Sequence, residues 1–148
     1  MSGLYFKVYG QAAPAGSKTA GVTKSGRTYV RDSSKGSAAW KRAVAQVAGQ
    51  AMGDRELLRG PLCLGVVFRV KRPQSHYGKR GLLPSAPAFP TVRPDATKLL
   101  RAVEDAMQGV VYANDSQIVE QTVAKYYGEP ERCEITVRPL PTPAALAA

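Results

Sequence analysis

Between positions 95 and 115 the chain sets Asp95, Lys98, Arg101, Glu104, Asp105 and Asp115. Carboxylate oxygens are the ligands a hard divalent cation prefers, and Lys or Arg beside them can neutralise a phosphate. Together they could hold a metal ion or do chemistry beside a bound anion. Residues 95–108 have helical periodicity. On a wheel of about 100° per residue, their apolar arc of Leu99, Leu100, Val103, Ala106 and Met107 centres near Val103. Lys98, Arg101 and Asp105 fall opposite, with Asp95 at the margin. An ordinary solvated face would look the same, with Arg101 and Asp105 as an i,i+4 pair. The flanks are less ordinary. Arg93-Pro94 comes immediately before, and Asn114-Asp115 comes after one tight connection. A chain that folds back there is expected to bring Asp115 and Asp95 together at one end of a sheet.

The elements that must position these groups are readable from periodicity. Leu4, Phe6 and Val8 alternate with Tyr5, Lys7 and Tyr9, which predicts a strand. The Gly-, Ala- and Ser-rich segment 11–26 is expected to be a flexible loop, with a short strand over 27–31. Ser33, Ser34 and Ser37 are candidate N-caps for a first helix carrying Trp40, Val44, Val47, Ala48 and Ala51 on one stripe and stopping at Gly53. Trp40 is therefore a core residue. The apolar run 62–70 predicts a central strand. Segment 73–94 holds Pro73, Pro84, Pro87, Pro90 and Pro94 with Gly78 and Gly81, so it contains no helix and no inner strand. It is either a nucleic-acid contact carrying Lys79, Arg80 and Arg93 or a disordered excursion. His76, the only histidine, is read as a surface residue without partners, not a general base. Gly109 ends the second helix, Asn114-Asp115-Ser116 is a turn, and strands come next over 118–127 and 133–137. The expected fold is α+β, a single domain over 1–140 with a mixed β-sheet of four to five strands packed with two α-helices. Residues 141–148 are expected to be a flexible tail.

The chain has 148 residues and a formal net charge of +10. Residues 1–94 carry 16 Lys and Arg against three acids, a net of +13, whereas 95–148 carry five against eight, a net of −3. A nucleic acid could rest on the basic part while carboxylates in the later part do chemistry or hold metal. Lys18, Lys24, Arg27, Arg69, Lys71, Arg72 and Arg93 are the candidate DNA contacts. No apolar run approaches the roughly 20 residues a membrane helix needs, and residues 1–9 lack signal-peptide features. A soluble, cytoplasmic protein of a bacterium or a phage-infected cell is expected, with no membrane partner and no nucleotide cofactor. Cys63 and Cys133, with no CxxC, exclude zinc fingers and disulfide scaffolds.

The stretch Arg93-Pro94-Asp95-Ala96-Thr97-Lys98-Leu99-Leu100-Arg101, then Glu104-Asp105-Ala106-Met107, Gly109 and Asn114-Asp115-Ser116-Gln117-Ile118, resembles the core of the RusA family of Holliday-junction resolvases. That core runs Pro-Asp-x-Asp-Asn-Leu-x-Lys, then Asp-Ala-Leu, Gly and Asp-Asp-x-Gln-Val. Val8-Tyr9-Gly10 with 14–18, the run 68–73 and Lys125 also resemble family features, so the likeness spans about residues 4–138. It implies a small homodimeric, Mg²⁺-dependent endonuclease, with Mn²⁺ as a substitute, that cuts branched DNA and is common in phages and prophages.

By that resemblance Asp95 and Asp115 match essential carboxylates and metal ligands, Arg101 matches the essential lysine, and Asp105 matches the helix acid. The family's second carboxylate falls at Thr97, its asparagine at Lys98, and the first acid of its late pair at Asn114. Thr97 and Asn114 offer oxygen without charge. Asp105 or Glu104 is expected to supply the missing charge, and Asp105 is favoured because Glu104 lies well round the wheel from Asp95. Lys98 and Arg101 would clamp the scissile phosphate. The alternatives are a junction-binding protein of the same fold without full activity, and a general basic nucleic-acid module. The ordered series Asp95, Arg101, Asp105, Asp115 argues against the last.

Overall fold

The computed structural model describes residues 3–16, 18–32, 36–141 and 143, with the backbone alone for 18–20 and 29–32. Strand β1 (Leu4–Tyr9) buries Leu4, Phe6 and Val8 and exposes the residues between them, as alternation requires. Segment 11–26 is not all loop: β2 (Lys18–Val22) pairs antiparallel with β3 (Thr28–Asp32). The signal is missing from the sequence because Lys18-Thr19-Ala20-Gly21-Val22 has no apolar alternation, and its ladder is set by the backbone of β3.

Helix α1 (Ser37–Met52) buries Trp40, Val44, Ala48 and Met52, one residue per turn. Its N-cap is Gly36 at φ 80°, with no side-chain cap, and Ser37 is the first helical residue. Ser33 and Ser34, the other candidate caps, lie outside the described residues. Gly53, at φ 56°, closes the helix as expected. Strand β4 (Leu62–Val70) buries Leu62, Leu64, Val66 and Phe68. The proline-rich segment after it holds a single 3-10 turn, Gln74–His76, and the two-residue strands β5 (Tyr77–Gly78) and β6 (Gly81–Leu82). Helix α2 (Ala96–Met107) buries Leu99, Leu100, Ala102, Val103, Ala106 and Met107. Each large apolar side chain among them contributes about 1.5–3 kcal/mol when removed from water. Gly109, at φ 84°, lets the chain turn out of α2. Strands β7 (Ile118–Tyr127) and β8 (Arg132–Pro139) follow, the latter burying Cys133, Ile135 and Val137.

The main sheet is four-stranded in the order β1-β8-β4-β7. Strand β8 is antiparallel to β1 and to β4, and β4 runs parallel to β7. The result is the α+β domain with a mixed sheet and two helices that the periodicity predicted. Helix α1 packs on β1 and α2, and α2 packs against β7. No helix among the described residues is long and apolar enough to cross a membrane.

The parallel β4–β7 pair places the site residues. Parallel neighbours need a crossover, which here is α2. It must run back along the strands it joins. The N-terminus of α2 therefore lies where β4 and β7 end, at Val70 and Tyr127. Its C-terminus lies where they begin, at Leu62 and Ile118.

Candidate active site

Asp95 is the N-cap residue of α2, at φ −70° and ψ 140°, and its side chain makes no cap hydrogen bond. The carboxylate is left to solvent and to Lys98 Nζ at 3.9 Å, an exposed pair worth little by itself. Two ties hold this corner. Lys125 Nζ, near the end of β7, donates to the carbonyls of Val92 (2.7 Å) and Pro94 (2.9 Å). The Ala15 N–H donates to the Lys98 carbonyl at 3.0 Å. Asp95 and Lys98 face an open cavity of about 680 Å³ that Gln11, Pro14 and Arg93 also line.

Asp115 lies at the other end of α2. Its N–H donates to Gln108 Oε1 at 3.1 Å, and Gln108 is the C-cap residue. At a rise of about 1.5 Å per residue the 12-residue helix is about 18 Å long. The convergence of Asp95 and Asp115 expected from sequence is therefore not made within the chain. The reason is the parallel β4–β7 crossover, a long-range pairing that local periodicity does not reveal.

A capped turn fixes the backbone at Asp115. Asn114 Oδ1 accepts from Ser116 N–H at 2.9 Å, and Gln117 Oε1 accepts from the N–H groups of Ala113 and Asn114, both at 3.1 Å. Gln117 Nε2 donates to the Leu58 and Gly60 carbonyls, at 3.0 and 3.1 Å, anchoring the turn to the chain entering β4. Asn114 thus spends its side-chain oxygen on the turn. An amide can cap in this way without adding charge beside Asp115.

The helix acids divide differently from the wheel-based expectation. Asp105 turns toward α1 and pairs with Lys41 at 3.4 Å. Glu104, its neighbour, is the helix carboxylate that feels the charge of Asp115. Glu104 Oε1 is buried and accepts no hydrogen bond. Burial raises its pKa above the ordinary 4.5, the negative charges of Asp115 and Asp105 raise it further, and Arg101 opposes them. Tyr112, buried below, donates its hydroxyl to the Glu104 carbonyl at 2.8 Å, and burial pushes its own pKa well up. A wheel referred to Asp95 disfavours Glu104. Referred to Asp115, the sequence does carry the signal: Thr97, Arg101, Glu104 and Gln108 form one stripe at i, i+4, i+7 and i+11, ending at the Asp115 turn. Thr97 is exposed on that stripe, two turns from Glu104.

Of the candidate DNA contacts, Lys24 and Arg27 are exposed at the β2–β3 hairpin, while of Lys18 only the backbone is described. Lys71 and Arg93 are exposed and Arg69 is half-buried near the end of β4. Arg72 is engaged, donating to the Pro87 carbonyl at 2.7 Å and meeting His76 Nδ1 at 3.3 Å. His76 is thus not without partners, and its ring also stands edge-on to Tyr127 at 5.5 Å.

Residues 9–138 match the family described as Endodeoxyribonuclease RusA. The chain belongs to the RusA endodeoxyribonuclease family. A curated relative, the uncharacterized protein YqaN of Bacillus subtilis (strain 168), is 31% identical over 146 residues, covering 93% of this chain and 97% of its own. This RusA-family chain thus belongs to a DNA-cleaving class. Among the described residues no three His, Cys, Asp or Glu side chains form a group that could hold a metal ion. Glu104 with Asp115 nevertheless fits part of a hard-cation site. A buried carboxylate oxygen lacks a partner and a second carboxylate repels it, which a divalent cation would reverse. Asp105, neutralised by Lys41, fits less well, and Asp95, beside Lys98, lies at the opposite end of α2.

Proposed function

We propose that this protein is a divalent-metal-dependent endonuclease that resolves branched DNA, Holliday junctions above all, by paired phosphodiester hydrolysis in the cytoplasm. The observation that carries this reading is the buried, unpartnered oxygen of Glu104, on which the charge of Asp115 bears, in a RusA-family chain of net charge +10. Glu104 and Asp115 would hold Mg²⁺, with Mn²⁺ as a substitute. Bound there, the ion would supply Lewis-acid polarisation of the phosphate and a water of lowered pKa. Arg101, exposed one turn before Glu104, binds the scissile phosphate and offsets its growing charge. The Asn114–Gln117 turn keeps Asp115 aimed and spares the reaction that reorganisation.

Asp95 and Lys98 belong to the same chemistry only if a second copy supplies it. Two protomers related by a two-fold axis, with their α2 helices antiparallel, would set Asp95 and Lys98 beside the partner subunit's Glu104 and the partner subunit's Asp115. Such an isologous homodimer carries two identical sites, matching two symmetric cuts. Recognition would be of junction shape and phosphate positions more than of bases.

Thr97 favours a second reading. The family's second carboxylate is replaced there by an uncharged hydroxyl, and a protein of this fold could bind junctions without cutting them. One assay separates the two. A labelled four-way junction and a linear duplex are incubated with the protein in Mg²⁺, Mn²⁺ or EDTA, beside Asp115→Asn. Paired, metal-dependent nicks in the junction, absent from Asp115→Asn, are expected. Tight junction binding with no nicks in either metal would establish the second reading.

A further inference from the structure

Around the end of β4, arginines and aromatic rings interleave on a surface that the carboxylate chemistry does not use. The Arg69 guanidinium lies over the Tyr126 ring at 5.1 Å, and that of Arg72 lies over Tyr127 at 4.2 Å. Phe89, from the proline-rich strap, leans on Tyr126 at 6.2 Å with 49° between the rings. Arg72 ties the strap down through the Pro87 carbonyl. The rings are nevertheless not sealed: Phe89 is 60% exposed, Tyr77 42% and Tyr126 38%. Arg69 Nε is buried without a hydrogen-bond partner. A Cβ at Gly128 would lie 3.1 Å from Arg69 Cδ, so this position gives the arginine its room.

The concavity among Arg69, Arg72, Tyr77, Tyr126 and Tyr127 is about 460 Å³, with Glu129 at its border. A further cleft lies between it and the Asp95 corner. That cleft, of about 210 Å³, shares Arg69 and Tyr127 with the concavity, and shares Arg93 and Pro94 with the Asp95 cavity. A strand held at Asp95 would reach the exposed aromatic face by passing Arg93 and Arg69. An exposed π-face beside stacked arginines is what an unpaired nucleotide needs, one surface for the base and one for its phosphate. Paired bases have no free face to offer.

We propose that the strap and the end of β7 form a stacking platform, Phe89 and Tyr126 with Arg69, that takes an unpaired nucleotide of a DNA strand leading away from the Asp95 corner. The inference rests on the DNA-cleaving reading and adds that this chain prefers DNA with an opened base step.

The test measures binding of fluorescently labelled dT20, a 20-base-pair duplex and a four-way junction by anisotropy. The full chain is used without metal, and the variants are Phe89→Ala and Phe89→Trp. Phe89 is exposed, and thermal melting confirms the fold of each variant. Phe89→Ala is expected to weaken dT20 binding about tenfold, the scale of one lost base stack. Duplex binding is expected to stay within about twofold, because it depends on phosphate charge, and Phe89→Trp is expected to keep dT20 affinity. Equal loss on dT20 and duplex, or no loss on dT20, would overturn the platform while leaving the nuclease reading standing. A wild-type protein that binds none of the three DNAs would overturn both. If Phe89→Ala also halves the mass in solution, the face is an interface between copies and the platform fails.

Discussion

Glu104 and Asp105 are adjacent in the chain and opposite in circumstance. Asp105 has Lys41 at 3.4 Å, and its side chain is 35% exposed. Removing such a pair costs about 0–1 kcal/mol, so Asp105→Asn should leave both the melting temperature and the cleavage rate close to wild type. Glu104 keeps a buried oxygen without a partner, and its pKa is raised by burial and by the like charge of Asp115 and Asp105. A folded-state value above the unfolded one means the native protein holds that proton more tightly. The associated stability is present below the ordinary 4.5 and is lost as pH rises through the raised value. Glu104→Gln, which mimics the protonated form, should therefore raise the melting temperature of metal-free protein at about pH 7 and leave it unchanged at about pH 4. Mg²⁺ should stabilise the wild type by about 2.7 kcal/mol at a hundred times its dissociation constant and should stabilise Glu104→Gln far less. Calorimetry with and without the ion reads both effects. A wild-type melting temperature that does not respond to Mg²⁺ would argue against the Glu104–Asp115 assignment.

At the scale of elements, Lys125 matters more than its place late in β7 suggests. Its ammonium bridges the Val92 and Pro94 carbonyls, joining the strap to the strand just before Asp95. Hydrogen bonds from a charged donor are worth about 1.5–3 kcal/mol each. Lys125→Met should lower the melting temperature and slow cleavage more than the loss of folded protein explains, because Asp95 loses its fixed corner. Leu99→Ala, at a fully buried site in α2, should cost about 2–5 kcal/mol. The elements whose pattern is local are legible in sequence. Strand β1 shows alternation, β4 is an apolar run, and α2 has both an apolar arc and a terminal glycine. Strand β2 is not legible, because Lys18 to Val22 carries no pattern apart from its pairing with β3. The acidic residues of the site are visible in the sequence too, but their separation is not. It depends on β4 pairing with β7 in parallel, and no short window of sequence encodes that.

At the scale of the whole molecule, net charge and the proposed two-fold dimer have separate consequences. The net of +10 should make duplex binding steeply salt-dependent. Replacing Lys24 and Arg27 at the hairpin should reduce the slope of log K against log salt by about two, if each contacts a phosphate. The larger consequence comes from Asp95 and Asp115 standing at opposite ends of α2. In an antiparallel dimer each site takes Asp95 from one protomer and Asp115 from its partner. Asp95→Asn and Asp115→Asn should each be inactive alone. A dimer of one with the other contains one site with both aspartates and one with neither. The decisive measurement is junction nicking in Mg²⁺ by the two variants separately, and by a mixture unfolded and refolded together. Single nicks regained only in the mixture are the predicted result. A mixture no more active than its components, or full cleavage by either variant alone, would contradict the account.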